Sequence, residues 1–214
     1  MANRADLIAL LEDCAERARH RDLTLGEVVA ELKDSAFCFA TILLTLPLLL
    51  PFPLGPLAIF GGMAIAVLGW QMLRGASHPR LPERVYKAQL SARAWGNLLG
   101  VCRRVLALAE RFSRTRLLAW VSGVRGERIA GLVILCSGLL LAIPMGGLPF
   151  NNTLPALVAL SACIALLERD GVWFVIAAVW LVLTLVYFSL IAYLLIYFGV
   201  EFKAWLTTHM PSWM

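Results

Sequence analysis

Between Ser35 and Leu73 the chain carries no charge, yet four prolines (Pro47, Pro51, Pro53 and Pro56) fall near the middle of that run, with Gly55 among them. Proline has no N–H to give and crowds the turn before it, so it ends one helix and is tolerated in the first turn of the next. A continuous membrane helix across this stretch is therefore excluded. The pattern predicts a helical hairpin with a break at its centre. A second uncharged run, Ile129–Leu167, has its own interruption, "IPMGGLPFNNTLP", with Pro144, Gly146, Gly147, Pro149 and Pro155. In each run an apolar helix is expected to end at a proline (Pro47, Pro144), followed by a Pro-Phe pair. A further proline (Pro56, Pro155) then opens a second helix of about 15–18 residues, which leaves through "QMLRG" or "ERDG". The shared order of parts reads as an internal duplication.

A third apolar run, Val172–Val200, is unbroken. As a helix it would reach roughly 43 Å, more than the ~30 Å hydrocarbon core of a bilayer. With 60% hydrophobic residues and a mean hydropathy of +0.79, the chain has the composition of a membrane protein. The expectation is an all-α polytopic membrane protein. It divides into an acidic amphipathic cytoplasmic segment (1–34), a first broken hairpin (35–75), a basic amphipathic cytoplasmic segment (76–128), a second broken hairpin (129–171), a transmembrane helix (172–200) and a tail (201–214). Each hairpin either spans fully or is re-entrant. The first 34 residues lack an apolar signal region, so the first hairpin is expected to serve as an uncleaved insertion signal.

Charge sets the orientation. Residues 74–128 hold twelve Lys/Arg against three acids, whereas residues 1–34 hold five against eight. The positive-inside rule places the basic segment, and with it the N-terminus, in the cytoplasm. Leu98, Val101, Val105, Leu108 and Phe112 make an apolar stripe between about Glu83 and Phe112, suited either to anionic lipid or to packing on the membrane domain. Topology already accounts for the charge, so nucleic-acid binding is not expected. In the N-terminal segment, Thr24 followed by Glu27 has capping-box spacing.

Candidate binding residues follow from cost. A broken helix at membrane depth frees backbone groups that must face protein or a wet cavity, and paired breaks are where transporters hold ions and solutes. Asn151, Asn152 and Thr153 are the polar side chains of the second break; the first has none. Glu168, Arg169 and Asp170, with Gln71 and Arg74 at the corresponding exit of the first hairpin, are either pathway residues or interfacial anchors. Ala58, Gly62, Ala66 and Gly69 form a small-residue stripe, read first as packing against the other hairpin and second as a dimer seam. The five cysteines and three histidines are scattered. No metal site and no cofactor is expected.

In chain order, an acidic helix with "TLGEVVAEL", the hairpin "LPLLLPFPLGP…GWQMLRG" followed by "HPRLP", a basic middle segment and "IPMGGLPFNNTLPALVALSACIALLERDG" before the last span together resemble the ExoD family, named for exopolysaccharide synthesis. The resemblance covers about residues 20–200, and "LPF…LPA" followed by "LERDG" is its most specific part. At "HPRLP" the chain departs from the family, where Trp commonly stands in the place of Arg80. The resemblance implies a bacterial inner-membrane protein tied to exopolysaccharide production or envelope stress, and it supplies no reaction. Two functions remain open: a small-solute or ion transporter or channel with its pathway at the two breaks, or a non-catalytic accessory protein that docks polysaccharide-assembly proteins. A homodimer suits the first. An enzyme is not expected, because H-E-x-x-H and G-x-S-x-G are absent.

Overall fold

In the computed structural model, the described residues are 4–17, 23–32, 35–49, 55–80, 89–90, 96, 100, 103–104, 107, 110–114, 116–144, 148 and 150–209. The fold is built from helices. In chain order they are α1 (Arg4–Arg17), α2 (Leu25–Glu31), α3 (Ala36–Leu48), α4 (Pro56–Leu73), the single turn α5 (Leu118–Val121), α6 (Gly123–Leu141), α7 (Thr153–Glu168) and α8 (Val172–His209). A two-residue antiparallel pairing of Leu23–Thr24 with Gln89–Leu90 accompanies them.

Helices α3 and α4 make one antiparallel hairpin, and α6 and α7 make the other. The second helices, α4 and α7, run 18 and 16 residues. Pro56 is the first residue of α4 and Pro155 lies in the first turn of α7, where a missing N–H costs nothing. The first helices differ from expectation. Pro47 does not end α3 but sits inside its last turn. It removes a single donor, and the turn closes through Leu49 N–H to Thr45 O at 3.1 Å. Helix α6 stops at Leu141, ahead of Pro144. At the C-terminus, α8 does not stop at residue 200 but continues to His209. Pro51, Pro53, Gly146, Gly147 and Pro149 lie outside the described residues, as does most of the stretch between Glu83 and Phe112.

The closest pairing is α4 against α6, and glycine makes it possible. A β-carbon on Gly69 would stand 2.3 Å from Leu135 N, one on Gly138 2.3 Å from Ala66 N, one on Gly131 2.6 Å from Leu73 N and one on Gly62 2.7 Å from Ala142 N. The main chains themselves touch, as small residues permit between membrane-type helices. Partner numbers fall along α6 as they rise along α4, so these helices are antiparallel, and the two hairpins point the same way. The stripe Gly62–Ala66–Gly69 thus packs internally, against a matching stripe on α6.

Helix α7 is the hub, buried on nearly every side and in contact with α3, α6 and α8. Its Ala156, Ala159, Ala162 and Ala165, each 0% exposed, let three neighbours approach at once. Where α3 crosses α7, the Cys38 and Cys163 thiols and the Thr41 hydroxyl meet. The Thr24 capping box forms as its spacing predicted, with Glu27 N–H donating to Thr24 Oγ1 and Thr24 N–H to a Glu27 carboxylate oxygen, both at 3.3 Å. Arg17 joins α1 to Glu31 of α2 at 2.9 Å. Beside it, burial pushes the Cys14 thiol up to about 11, so it stays protonated at neutral pH.

The outer faces of the long helices are apolar, and a few polar side chains lie within a hydrophobic core. Leu57, Phe60, Met63, Val67 and Trp70 line the outer face of α4. Thr41, Thr45, Ser137, Asn152, Ser161 and Thr184 are buried. Single exposed apolar side chains are ordinary on a soluble domain, whereas a contiguous apolar face of this kind marks an interaction surface. Two helices, Pro56–Leu73 and Val172–Gly199, are long and apolar enough to cross a membrane.

Candidate functional site

The described flanks of the two breaks lie together at one end of the bundle. Thr153 Oγ1, at the start of α7, donates to Leu49 O at the end of α3 (3.3 Å), so the second break is tied to the first. Chain entry into α4 needs Gly55, whose φ of +53° and ψ of −128° suit no L side chain. Its missing β-carbon would meet nothing within 4 Å, so conformation and not space is what excludes a side chain there. Entry into α7 passes through Phe150, also at positive φ (61°) and exposed. Asn152 is the N-cap of α7, buried, and makes no side-chain cap bond. The Asn151 Oδ1 is enclosed and has no hydrogen-bond partner among the described residues. Ser137 Oγ donates to Pro155 O at 2.6 Å and locks α6 to the first turn of α7. Ser137 was not singled out in advance: one serine within an apolar helix carries no local signal.

The charged exits sit at the other end. Helix α7 separates them from the breaks by about 24 Å, so Glu168, Arg169 and Asp170 do not gather with Asn151, Asn152 and Thr153. Asp170 is buried, and both carboxylate oxygens are engaged. Oδ2 accepts from Arg114 N–H at 2.8 Å and Oδ1 from Val172 N–H at 3.0 Å. It therefore caps α8 and staples the 113–117 segment beneath the bundle. That contact is extended by Trp173 Nε1–H to Ser113 Oγ (2.7 Å) and Gly171 N–H to Arg116 O (2.9 Å). Arg169 ends α7 at positive φ and is exposed. Glu168 is half-buried.

The first hairpin's exit is similarly occupied. The Gln71 side-chain amide donates to Arg80 O (3.0 Å) and accepts from Arg80 N–H (2.6 Å), folding "HPR" back against α4. Arg74 stands 4.4 Å over the Trp70 ring. Exposed arginines crowd this end: Arg74, Arg80, Arg114, Arg116, Arg125, Arg128 and Arg169. Arg103, exposed as well, pairs with Glu12 of α1. Among the described residues no cluster of three His, Cys, Asp or Glu could hold a metal ion.

Comparison with known proteins gives this architecture a family. Residues 7–190 match the family described as "Exopolysaccharide synthesis, ExoD". The protein ExoD of Rhizobium meliloti (strain 1021) is 29% identical over 175 residues, covering 82% of this chain and 72% of that one. No solved structure matches the chain. With the family pattern running from the first helix into α8, through both breaks and both exits, the chain belongs to the ExoD family, which is linked to exopolysaccharide synthesis.

Proposed function

We propose that the chain is a multi-pass protein of a bacterial cytoplasmic membrane that passes a small solute or ion through a pathway at the two helix breaks, in support of exopolysaccharide production. One observation carries this reading: the level of the breaks against α8. Helix α7 climbs 16 residues from Glu168 to the break at Thr153, and the last buried side chain on α8, Phe188, lies 16 residues past Val172. The breaks are thus about 24 Å up α8. From Ser189 to Gly199 the apolar helix runs on for about 16 Å, almost wholly exposed. If the Val172–Gly199 stretch marks the membrane, the open helix ends lie inside it.

The hairpins are then re-entrant, entering and leaving through the basic cytoplasmic end, and α8 alone crosses, carrying the C-terminus to the far side. At the break Thr153 Oγ1 ties α7 to Leu49 O of α3, the N–H groups of Ala58, Leu154 and Ala156 close the first turns of α4 and α7, and Asn151 Oδ1 is an enclosed acceptor with no partner among the described residues. Such groups persist at that depth only against protein or water, and half-helix ends of this kind can hold ions. The two same-facing hairpins fit a parallel duplication. A second copy of the chain would complete the wall around a pathway. Glu168 sits at the cytoplasmic mouth, and the reading assigns no catalytic chemistry to any residue.

Flux tests it. In liposomes loaded with a pH-sensitive dye and given proton, Na⁺ or K⁺ gradients, the wild type is expected to dissipate at least one gradient faster than empty vesicles. Asn151→Ala should slow that rate several-fold, and Glu168→Gln should slow it less. Rates equal to empty vesicles for every gradient would contradict a cation pathway and leave docking to a polysaccharide-assembly system as the role to examine.

A further inference from the structure

A groove of about 450 Å³ opens where the last turn of α4 meets the first turns of α6, lined by Leu73, Val124, Arg125, Arg128, Ile129 and Leu132. That volume falls within the ~300–1,000 Å³ of ordinary ligand sites. Its floor is hydrocarbon, and its only charged lining residues are two arginines. Val124 and Leu132 are 59% and 51% exposed, so the apolar surface is open from outside. Arg125 and Arg128 are exposed, and neither makes an ion pair or hydrogen bond with a described residue. Glu127, the acid between them in sequence, does not line the groove.

From this juxtaposition we infer that the groove binds an amphiphile with an anionic phosphate head, its chain lying on Leu73, Ile129 and Leu132 and its phosphate between Arg125 and Arg128. Guanidinium groups match phosphate oxygens in a planar, bidentate way, and an unpaired arginine at the edge of an apolar surface gains from such a partner. The position suits a lipid. Arg74 over Trp70 and the exposed Trp120 mark this end of the bundle as the headgroup level. The assignment rests on the membrane reading above and is independent of transport.

The test uses the full chain in detergent, with bound lipid counted by native mass spectrometry. Dioleoyl-phosphatidylglycerol is expected to bind saturably and in preference to the matching phosphatidylcholine, which has a phosphate but no net charge. The double variant Arg125→Gln/Arg128→Gln should bind phosphatidylglycerol roughly thirty-fold more weakly, the loss expected for two basic side chains at an anionic surface. Arg104→Gln/Arg111→Gln, which removes the same charge from exposed helical positions elsewhere, should leave binding unchanged. Dodecyl phosphate should displace the lipid at concentrations where inorganic phosphate does not. Equal binding of the two lipids, or an equal loss in both double variants, would overturn the inference. Displacement by inorganic phosphate as readily as by dodecyl phosphate would overturn the amphiphile and leave a site for the free anion.

Discussion

Gly138→Ala is expected to unfold the detergent-solubilised protein at a markedly lower temperature than wild type, while Gly199→Ala leaves it equal or slightly higher. Both replacements put one methyl into a helix and gain up to ~1 kcal/mol of helix propensity. At Gly199 the methyl meets nothing within 4 Å. At Gly138 it would stand 2.3 Å from Ala66 N, 2.7 Å from Ala66 Cα and 2.7 Å from Gly62 O. These are main-chain atoms, so no rotamer change can relieve the contact. Helices α4 and α6 must separate along their length. Overpacking of this sort costs ~1–3 kcal/mol and occasionally more, and a rigid backbone neighbour puts Gly138 at the upper end, roughly 3 kcal/mol before the propensity gain. Gly69→Ala should behave the same way. The double variant should cost much less than the sum, because helices already moved apart have room for the second methyl. Equal melting of Gly138→Ala and Gly199→Ala would sink the backbone-contact account of this interface.

The second large effect belongs to Asp170. Asp170→Ala leaves the N–H groups of Arg114 and Val172 without an acceptor in a site 1% exposed. Each orphaned donor costs ~1–3 kcal/mol, so the loss should reach roughly 2–4 kcal/mol. It should also free the 113–117 segment for proteolysis. Asp170→Asn keeps one oxygen, and Asn caps helices about as well as Asp, yet its amide must face the other donor; an intermediate loss of roughly 1–2 kcal/mol is expected. The pair separates a staple from a pathway group. A staple predicts that folded Asp170→Asn transports as wild type does. Normal melting with lost flux would return Asp170 to the pathway.

How far such features could be read in advance depended on where their cause lies. Pro56 and Pro155 place the starts of α4 and α7 because a missing N–H is a local property. The Thr24–Glu27 box is local too, and it formed. One half of the α4–α6 seam was readable as Gly62, Ala66 and Gly69 on a single face. The other half, Gly131 and Gly138, is spaced by seven and needed its partner to be recognised. Pro47 misled because a proline near a helix end costs only one bond, which the following turn makes good. Asp170 stood next to an arginine and a glutamate and so read as one of a charged cluster. Its place just before the long run from Val172 is also a helix-start signal, and its bond from Val172 N–H agrees with that second reading. Gln71 and Ser137 bond to backbone carbonyls of other segments, a relation no periodicity records.

The depth of the breaks decides the account most directly. With the native cysteines replaced and a single cysteine at Asn151, membrane vesicles of both orientations would be treated with a small charged methanethiosulfonate and with a bulky impermeant maleimide, using Arg104→Cys as the surface standard. The account predicts that the small reagent reaches position 151 slowly and the bulky one scarcely at all, whereas Arg104→Cys reacts with both from the cytoplasmic side. Rapid labelling of position 151 by the bulky maleimide, at the rate of the surface standard, would put the breaks in ordinary surface turns and contradict a pathway built on them.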